Sequence, residues 1–204
     1  RVDVFSAGCV ISYLVYGSHP FGPHGDRERN VRRDRPCVHG VDPVANDLIG
    51  RMIAPLGRRL SSVAEARAHP LLWPPGKRLA FLMDVSDRIE KVPLEDPLMR
   101  QLEANAAAVL GGSDWFANLD AELQKDLHKH RKYKTHLLTD LLRAIRNKRH
   151  HYRELPPALL TALGDIPAGF LLYFDSRFPE LFAHVYRVVH DLCRGDPTLA
   201  DSYF

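Results

Sequence analysis

Tyr133, Arg146, Asn147, His150 and His151 bring a phenol, a guanidinium, a carboxamide and two imidazoles into one short stretch of chain. These are the groups that metal-free cleavage of RNA requires. Such a reaction needs a base for the ribose 2′-hydroxyl proton, an acid for the departing 5′-oxygen, and donors for the charge that builds on the phosphate. An imidazole suits the acid role because it titrates near neutrality. A phenol is a poor base unless cations lie close to it, and Arg131, Lys132 and Lys134 flank Tyr133. Arg146 has the planar fork for a bidentate contact to phosphate, and Asn147 can donate to a non-bridging oxygen or hold the histidine. Spacing does not choose between His150 and His151.

Each of these residues also has a plainer reading. Tyr133 can cover a neighbouring helix with its ring, His150 and His151 can be an ordinary helix C-terminus where imidazolium favours the dipole, and Asn147 can be a surface residue. A module that binds RNA or a twin chain without cutting is the competing function. The histidines His19, His24, His39, His69, His184 and His190, elsewhere in the chain, are scattered and read as core or loop residues. Paired acids at metal-site spacing, a Gly-rich phosphate loop, a Gly-x-Ser-x-Gly elbow and a Cys/His nucleophile pair are absent from the sequence. No metal site is therefore expected, and any cleavage is expected to proceed without a bound cation.

The surroundings of the five residues are basic. Lys125 to Arg153 holds ten Lys and Arg against Asp126 and Asp140, although residues 76–204 are neutral as a whole, so a cationic island sits between acidic flanks. That is the footprint of a polyanion-binding surface, with Lys132, Lys134, Arg143, Lys148 and Arg149 as its candidate RNA contacts. Residues 1–75 use ten Arg and no Lys. At 204 residues, 45% hydrophobic, 26% charged and net +3, the chain can bury a core and does not have the composition of a disordered protein. It has no long apolar run and no signal-type N-terminus, so it is expected to be soluble by itself. Cys9, Cys37 and Cys193 are odd in number and irregularly spaced, which argues for reduced thiols.

The elements that must position the island are helical, because apolar residues recur at three and four positions. Val4, Ala7, Gly8 and Ile11 form one stripe, Leu48, Met52 and Ile53 a second, and Leu79, Leu82, Met83 and Ser86 a third. The clearest helix runs from about Thr139 to His150, with Leu138, Leu141, Leu142 and Ile145 on one side and Arg143, Arg146, Asn147 and His150 on the other. Ser113 or Asp114 can cap the segment that follows. Pro167 opens a last helix carrying Phe170, Leu171, Phe174, Phe178, Leu181, Phe182 and Val185. No convincing strand is present, and Trp73-Pro74-Pro75-Gly76 separates two parts near Pro75.

At this level of detail the residues match a known pattern. Asp3-Val4-Phe5-Ser6-Ala7-Gly8, Gly17-Ser18-His19-Pro20-Phe21-Gly22, Arg59-Leu60-Ser61 and His69-Pro70-Leu71-Leu72-Trp73 resemble the end of a protein-kinase large lobe. Phe81 to Lys91, His130-Arg131-Lys132-Tyr133, Asp140 to Pro156 and Tyr173 to Pro179 resemble a kinase-extension nuclease domain. The chain is thus similar to the inositol-requiring-enzyme type of endoplasmic reticulum stress-sensor kinase/endoribonuclease, whose nuclease domain is shared with RNase L. The resemblance implies an all-α chain with a kinase-lobe fragment at 1–75 and the nuclease at 76–204. It implies a catalytic set at Tyr133, Arg146, Asn147 and His151, with the histidine as acid and the tyrosine as base. It also implies stem-loop RNA as substrate, a homodimer or higher homo-oligomer, messenger RNA splicing in the unfolded protein response, and a place on the cytosolic face of the endoplasmic reticulum membrane. No cofactor is implied for RNA cleavage. ATP or ADP with Mg2+ would belong to the kinase portion, whose Gly-rich loop, ATP-binding Lys, His-Arg-Asp loop and Asp-Phe-Gly ligand are not in this sequence. By the same resemblance Asp3 would be a buried acid.

Overall fold

The computed structural model describes residues 2–38 and 40–204; Arg1 and His39 lie outside the described residues, as does the side chain of His130. The described residues form thirteen α-helices and three short 3-10 turns, with no strand, so the fold is all-α. None of these helices alone is long and apolar enough to cross a membrane. Packing divides the chain into two compact units, with the division between Trp73 and Pro74.

The first unit contains α1 (Val2–Tyr16), α2 (His24–Arg32), α3 (Pro43–Ile53) and α4 (Val63–Ala68). Helix α1 lies directly on α3, and Gly8 permits the approach: a Cβ there would sit 2.8 Å from that of Met52. Val4, Leu48, Met52 and Ala66 form one apolar cluster, and Phe21, Ile49 and Ile53 another. Helix α3 starts where it does because Asp42 accepts from the amides of Val44 and Ala45 at 2.9 and 3.2 Å, with Pro43 in the first turn. His69 is a core histidine, buried with Nε2 3.0 Å from Asp47 Oδ2. Asp3, in contrast, is exposed. It stands in the first turn of α1, where solvent and the positive end of the helix dipole accommodate its charge without burial.

The second unit contains α5 (Pro75–Ile89), α6 (Pro97–Glu103), α7 (Ala106–Val109), α8 (Ala121–His130), α9 (Leu138–His150), α10 (Pro157–Leu163), α11 (Ala168–Arg177), α12 (Leu181–Cys193) and α13 (Ala200–Tyr203). Helix α9 packs against α5 and α6, and α12 packs against the same two. On α5 the buried residues include Leu79, Phe81, Leu82, Val85, Ser86 and Ile89, whereas Met83 is half-buried. The core side is therefore shifted towards Phe81, whose ring meets those of Phe182, Tyr186 and Tyr203.

The expected last helix is two helices. Pro179 has no amide to donate and drives Phe178 out of the helical region, to φ −133° and ψ 65°, so α11 stops at Arg177 and α12 begins at Leu181. Between α10 and α11 the chain folds tightly onto itself. A Cβ on Gly169 would fall 2.9 Å from the Gly164 backbone, and Gly164 has φ +67°, so both positions require glycine.

Candidate active site

Helix α9 carries the candidate residues, and its N-terminus is capped from outside. Its own N-cap, Leu137, has no side-chain oxygen. Glu103, at the end of α6, supplies the missing acceptor: its carboxylate takes the amides of Leu138 and Thr139, each at 2.9 Å, and the Thr139 hydroxyl at 2.7 Å. Orphan donors at the helix start are thereby satisfied, and the start of α9 is tied to α6.

The loop before α9 holds Tyr133, and four contacts fix it. Trp115, fully buried, receives the Tyr133 ring edge-on at 6.0 Å and donates its indole N–H to the Leu137 carbonyl at 3.0 Å. Its amide also donates to the Thr135 carbonyl at 3.0 Å. Asp140 reaches back from the first turn of α9 and accepts from the Lys134 amide at 2.6 Å. The segment lacks glycine but not anchorage. Asp114 caps the 3-10 turn Trp115–Asn118, accepting from the Phe116 amide at 2.9 Å, and so sets the indole itself.

With loop and helix fixed, the side chains converge. Asn147 Nδ2 donates to the Tyr133 hydroxyl oxygen at 3.0 Å, and Asn147 Oδ1 accepts from Arg146 Nε and Nη2 at 3.3 and 3.2 Å. The orientation of the amide follows from chemistry, since a guanidinium has donors only and the carbonyl side must face it. That leaves the NH2 for the phenol oxygen, where it can stabilise negative charge. Tyr133, Asn147 and His151 line one cavity of about 470 Å³, together with Asp126, Leu127, Arg131, Lys148, Glu154 and Leu155. His151 is the residue at the C-terminus of α9 and is exposed; His150 is exposed too but is not on the cavity wall.

Arg146 differs from its expected part. Its side chain is 8% exposed and is not on the cavity wall. Nη1 donates to Asp87 Oδ1 at 2.6 Å and Nη2 to Glu90 Oε1 at 3.0 Å, both acids coming from the end of α5. Hydrogen bonding to Glu90, followed by that to Asp87, raises the guanidinium pKa further, while burial opposes; the same bond to Arg146 lowers the Glu90 carboxyl. The guanidinium is thus committed to two carboxylates and to Asn147, and the geometry is that of an orienting group in place of a free bidentate clamp.

Two of the expected RNA contacts are likewise paired. Lys148 is buried and ion-paired with Asp126 of α8, so its charge is compensated although it reaches the cavity wall. Arg143 Nη1 donates to Asp140 Oδ1 at 2.7 Å. The supposed polar side of α9 is therefore partly a set of ion pairs to neighbouring elements. Lys132 and Lys134 are exposed and Arg149 is half-buried. Sequence reasoning missed Asp87, Glu90, Glu103 and Glu154. Only Glu154, three residues from His151, was within reach of a local pattern; its Oε2 is 3.0 Å from His151 Nδ1. Among the described residues no group of three or more His, Cys, Asp or Glu side chains is arranged to hold a metal ion.

The family model described as ribonuclease 2-5A matches residues 78–203, which contain the whole of this constellation. The chain belongs to the ribonuclease 2-5A family. Curated relatives align over almost the full length of this chain. The human serine/threonine-protein kinase/endoribonuclease IRE2 is 45% identical over 209 residues, covering 99% of this chain and 22% of that protein. The Caenorhabditis elegans serine/threonine-protein kinase/endoribonuclease ire-1 is 42% identical over 99% of this chain and 21% of its own length. The Schizosaccharomyces pombe sensor for unfolded proteins in the ER, ire1, is 40% identical over 93% of this chain and 18% of its own length. This ribonuclease 2-5A family chain therefore spans about a fifth of the length of these curated relatives.

Proposed function

We propose that this chain is the nuclease-bearing part of a kinase/endoribonuclease, and that it cleaves RNA stem-loops by general acid–base catalysis without a metal ion. The observation that carries the reading is the hydrogen-bonded line from Arg146 through Asn147 to the Tyr133 hydroxyl, at a cavity whose wall also includes His151. Tyr133 takes the 2′-hydroxyl proton as the 2′-oxygen attacks phosphorus. The bond from phosphorus to the 5′-oxygen breaks, and His151 gives that oxygen its proton. Asn147 donates to the phenol oxygen or, with RNA bound, to a non-bridging phosphate oxygen, and Arg146 acts through Asn147. Lys132, Lys134 and Arg149 hold the phosphate backbone; Arg143 and Lys148, already compensated by acids, add less.

The same reading assigns 1–75 to the end of a kinase large lobe and 76–204 to the nuclease domain, in keeping with relatives named as kinases and endoribonucleases together. ATP or ADP with Mg2+ belongs to the kinase portion of the longer protein, and cleavage itself needs no cofactor. A homodimer or higher homo-oligomer, messenger RNA splicing under unfolded-protein stress, and the cytosolic face of the endoplasmic reticulum membrane complete the proposal; the name of the Schizosaccharomyces pombe relative, a sensor for unfolded proteins in the ER, supports the stress and the organelle.

The test is incubation of the chain with a stem-loop RNA in EDTA. The expected products carry a 2′,3′-cyclic phosphate and a 5′-hydroxyl, and His151→Ala forms them about 10²-fold more slowly or not at all. Cleavage that requires added divalent metal overturns the metal-free reaction. Tight, salt-sensitive RNA binding with no cut at high protein concentration would instead make the chain a non-catalytic RNA-binding module.

A further inference from the structure

The geometry points to Glu154 as a positioning residue for His151, one that fixes which imidazole nitrogen faces the RNA. The inference rests on the acid role proposed for His151 and adds to it a residue that neither the sequence pattern nor the comparisons assign. His151 is the C-cap of α9 and immediately precedes the 3-10 turn Tyr152–Glu154. Side chains three residues apart eclipse in a 3-10 turn, so the sequence His151-Tyr152-Arg153-Glu154 sets a carboxylate against the imidazole. Glu154 Oε2 lies 3.0 Å from His151 Nδ1, and both residues line the same cavity as Tyr133 and Asn147.

The turn that brings them together is pinned. The Glu154 amide donates to the His151 carbonyl at 3.0 Å and the Leu155 amide to the Tyr152 carbonyl at 3.2 Å. The Tyr152 hydroxyl donates to the Gly164 carbonyl at 2.7 Å, and Leu155 is buried. The pair is thus held by a braced backbone, although both side chains reach solvent.

The consequence is chemical. A carboxylate accepts and does not donate, so the nitrogen facing Glu154 must be the one that carries a proton, Nδ1. Nε2 is then the nitrogen left for the RNA, protonated in the imidazolium and bare in the neutral ring. In the cleavage step the Nε2–H bond breaks and the 5′-oxygen gains that proton, while the pair of the breaking phosphorus–oxygen bond goes to the same oxygen. Nδ1–H stays on Glu154 throughout, and the ring is left in the tautomer that can be recharged at Nε2. Glu154 itself touches no reacting atom.

Two measurements on the full chain test this. In single-turnover cleavage of a stem-loop RNA, Glu154→Ala should lower the rate at saturating protein by about tenfold or more, part of the roughly 10²- to 10⁴-fold that a positioned general acid supplies, with the half-saturating concentration changed by less than about threefold. Glu154→Gln should recover most of that rate, because its carbonyl still accepts from Nδ1–H. Nitrogen-15 shifts of the His151 ring, read without RNA, should show the Nδ1–H tautomer in the parent chain and a mixture of tautomers in Glu154→Ala. Wild-type rates in Glu154→Ala, a loss confined to the half-saturating concentration, or an Nε2–H tautomer in the parent would each overturn the inference. If the parent chain cuts no RNA at all, the proposed function fails, while the nitrogen shifts still decide the Glu154 contact.

Discussion

Replacing Asp126 by Asn leaves the Lys148 ammonium buried without its counter-charge, and the structure says how costly that should be relative to the reverse change. Both side chains are 9% exposed, and among the described residues Asp126 is the one carboxylate paired with Lys148. Asp126 has a second cation, Lys129, whose ammonium is 3.7 Å away and largely in solvent. Removing one partner of a buried pair costs about 3–5 kcal/mol, so Asp126→Asn should lie in that range. Lys148→Met keeps the aliphatic packing and leaves Asp126 with Lys129, so it should cost about half as much. Asp126→Leu combined with Lys148→Met removes both charges and should return to within about 1 kcal/mol of the parent. Urea unfolding of the three variants at neutral pH reads the differences directly. A Lys148→Met variant less stable than Asp126→Asn, or a double variant as unstable as the worse single one, would refute the reasoning that desolvated charge dominates here.

Two further outcomes follow from contacts within the second unit. Glu103→Ala removes the acceptor for three donors at the start of α9 and should destabilise the chain by about 1–3 kcal/mol in the same urea assay; an unchanged midpoint would show that water caps the helix equally well. Asp196 accepts from the Thr198 hydroxyl and amide and from Arg88 Nε, with the Thr198 hydroxyl bond and then the Arg88 bond the main causes of a carboxyl held down to about 2. A carboxyl depressed on folding stabilises the chain above its ordinary value near 3.8 and loses that contribution as pH falls towards about 2. Stability should therefore drop more steeply from about pH 4 to about pH 2 in the parent than in Asp196→Asn, with the two curves converging at the acid end; parallel curves would contradict the assignment.

How much of this was readable in the sequence depended on distance along the chain. Helix α9 was legible because its apolar residues keep one face over thirteen positions, and its observed start at Leu138 lies one residue from the expected one. The meeting of Tyr133 with Asn147, fourteen residues apart, was legible because a loop running straight into a helix brings such positions near each other. Arg146 was misjudged because its acids, Asp87 and Glu90, stand 59 and 56 residues away on α5, and no local pattern ties a guanidinium to them. Lys148 was misjudged for a related reason: a lysine in a basic run reads as a solvent-facing charge, while burial on α9 and the reach of Asp126 from α8 are tertiary facts. The break at Pro179 was visible in the residue type and was overridden by the run of aromatics around it. Glu154 shows the opposite case, a local i, i+3 pairing that a residue-by-residue reading passes over because either partner alone is ordinary.

If Tyr133, Asn147 and His151 serve one phosphodiester, binding and cutting must separate at His151. The decisive comparison is single-turnover cleavage of one stem-loop RNA in EDTA by the parent chain and by His151→Ala, with RNA affinity measured in the same buffer. The expected result is a rate lower by about 10²-fold or more, the usual loss for a missing general acid, at an affinity that stays within about threefold. Equal cleavage rates in the two proteins would contradict the shared centre.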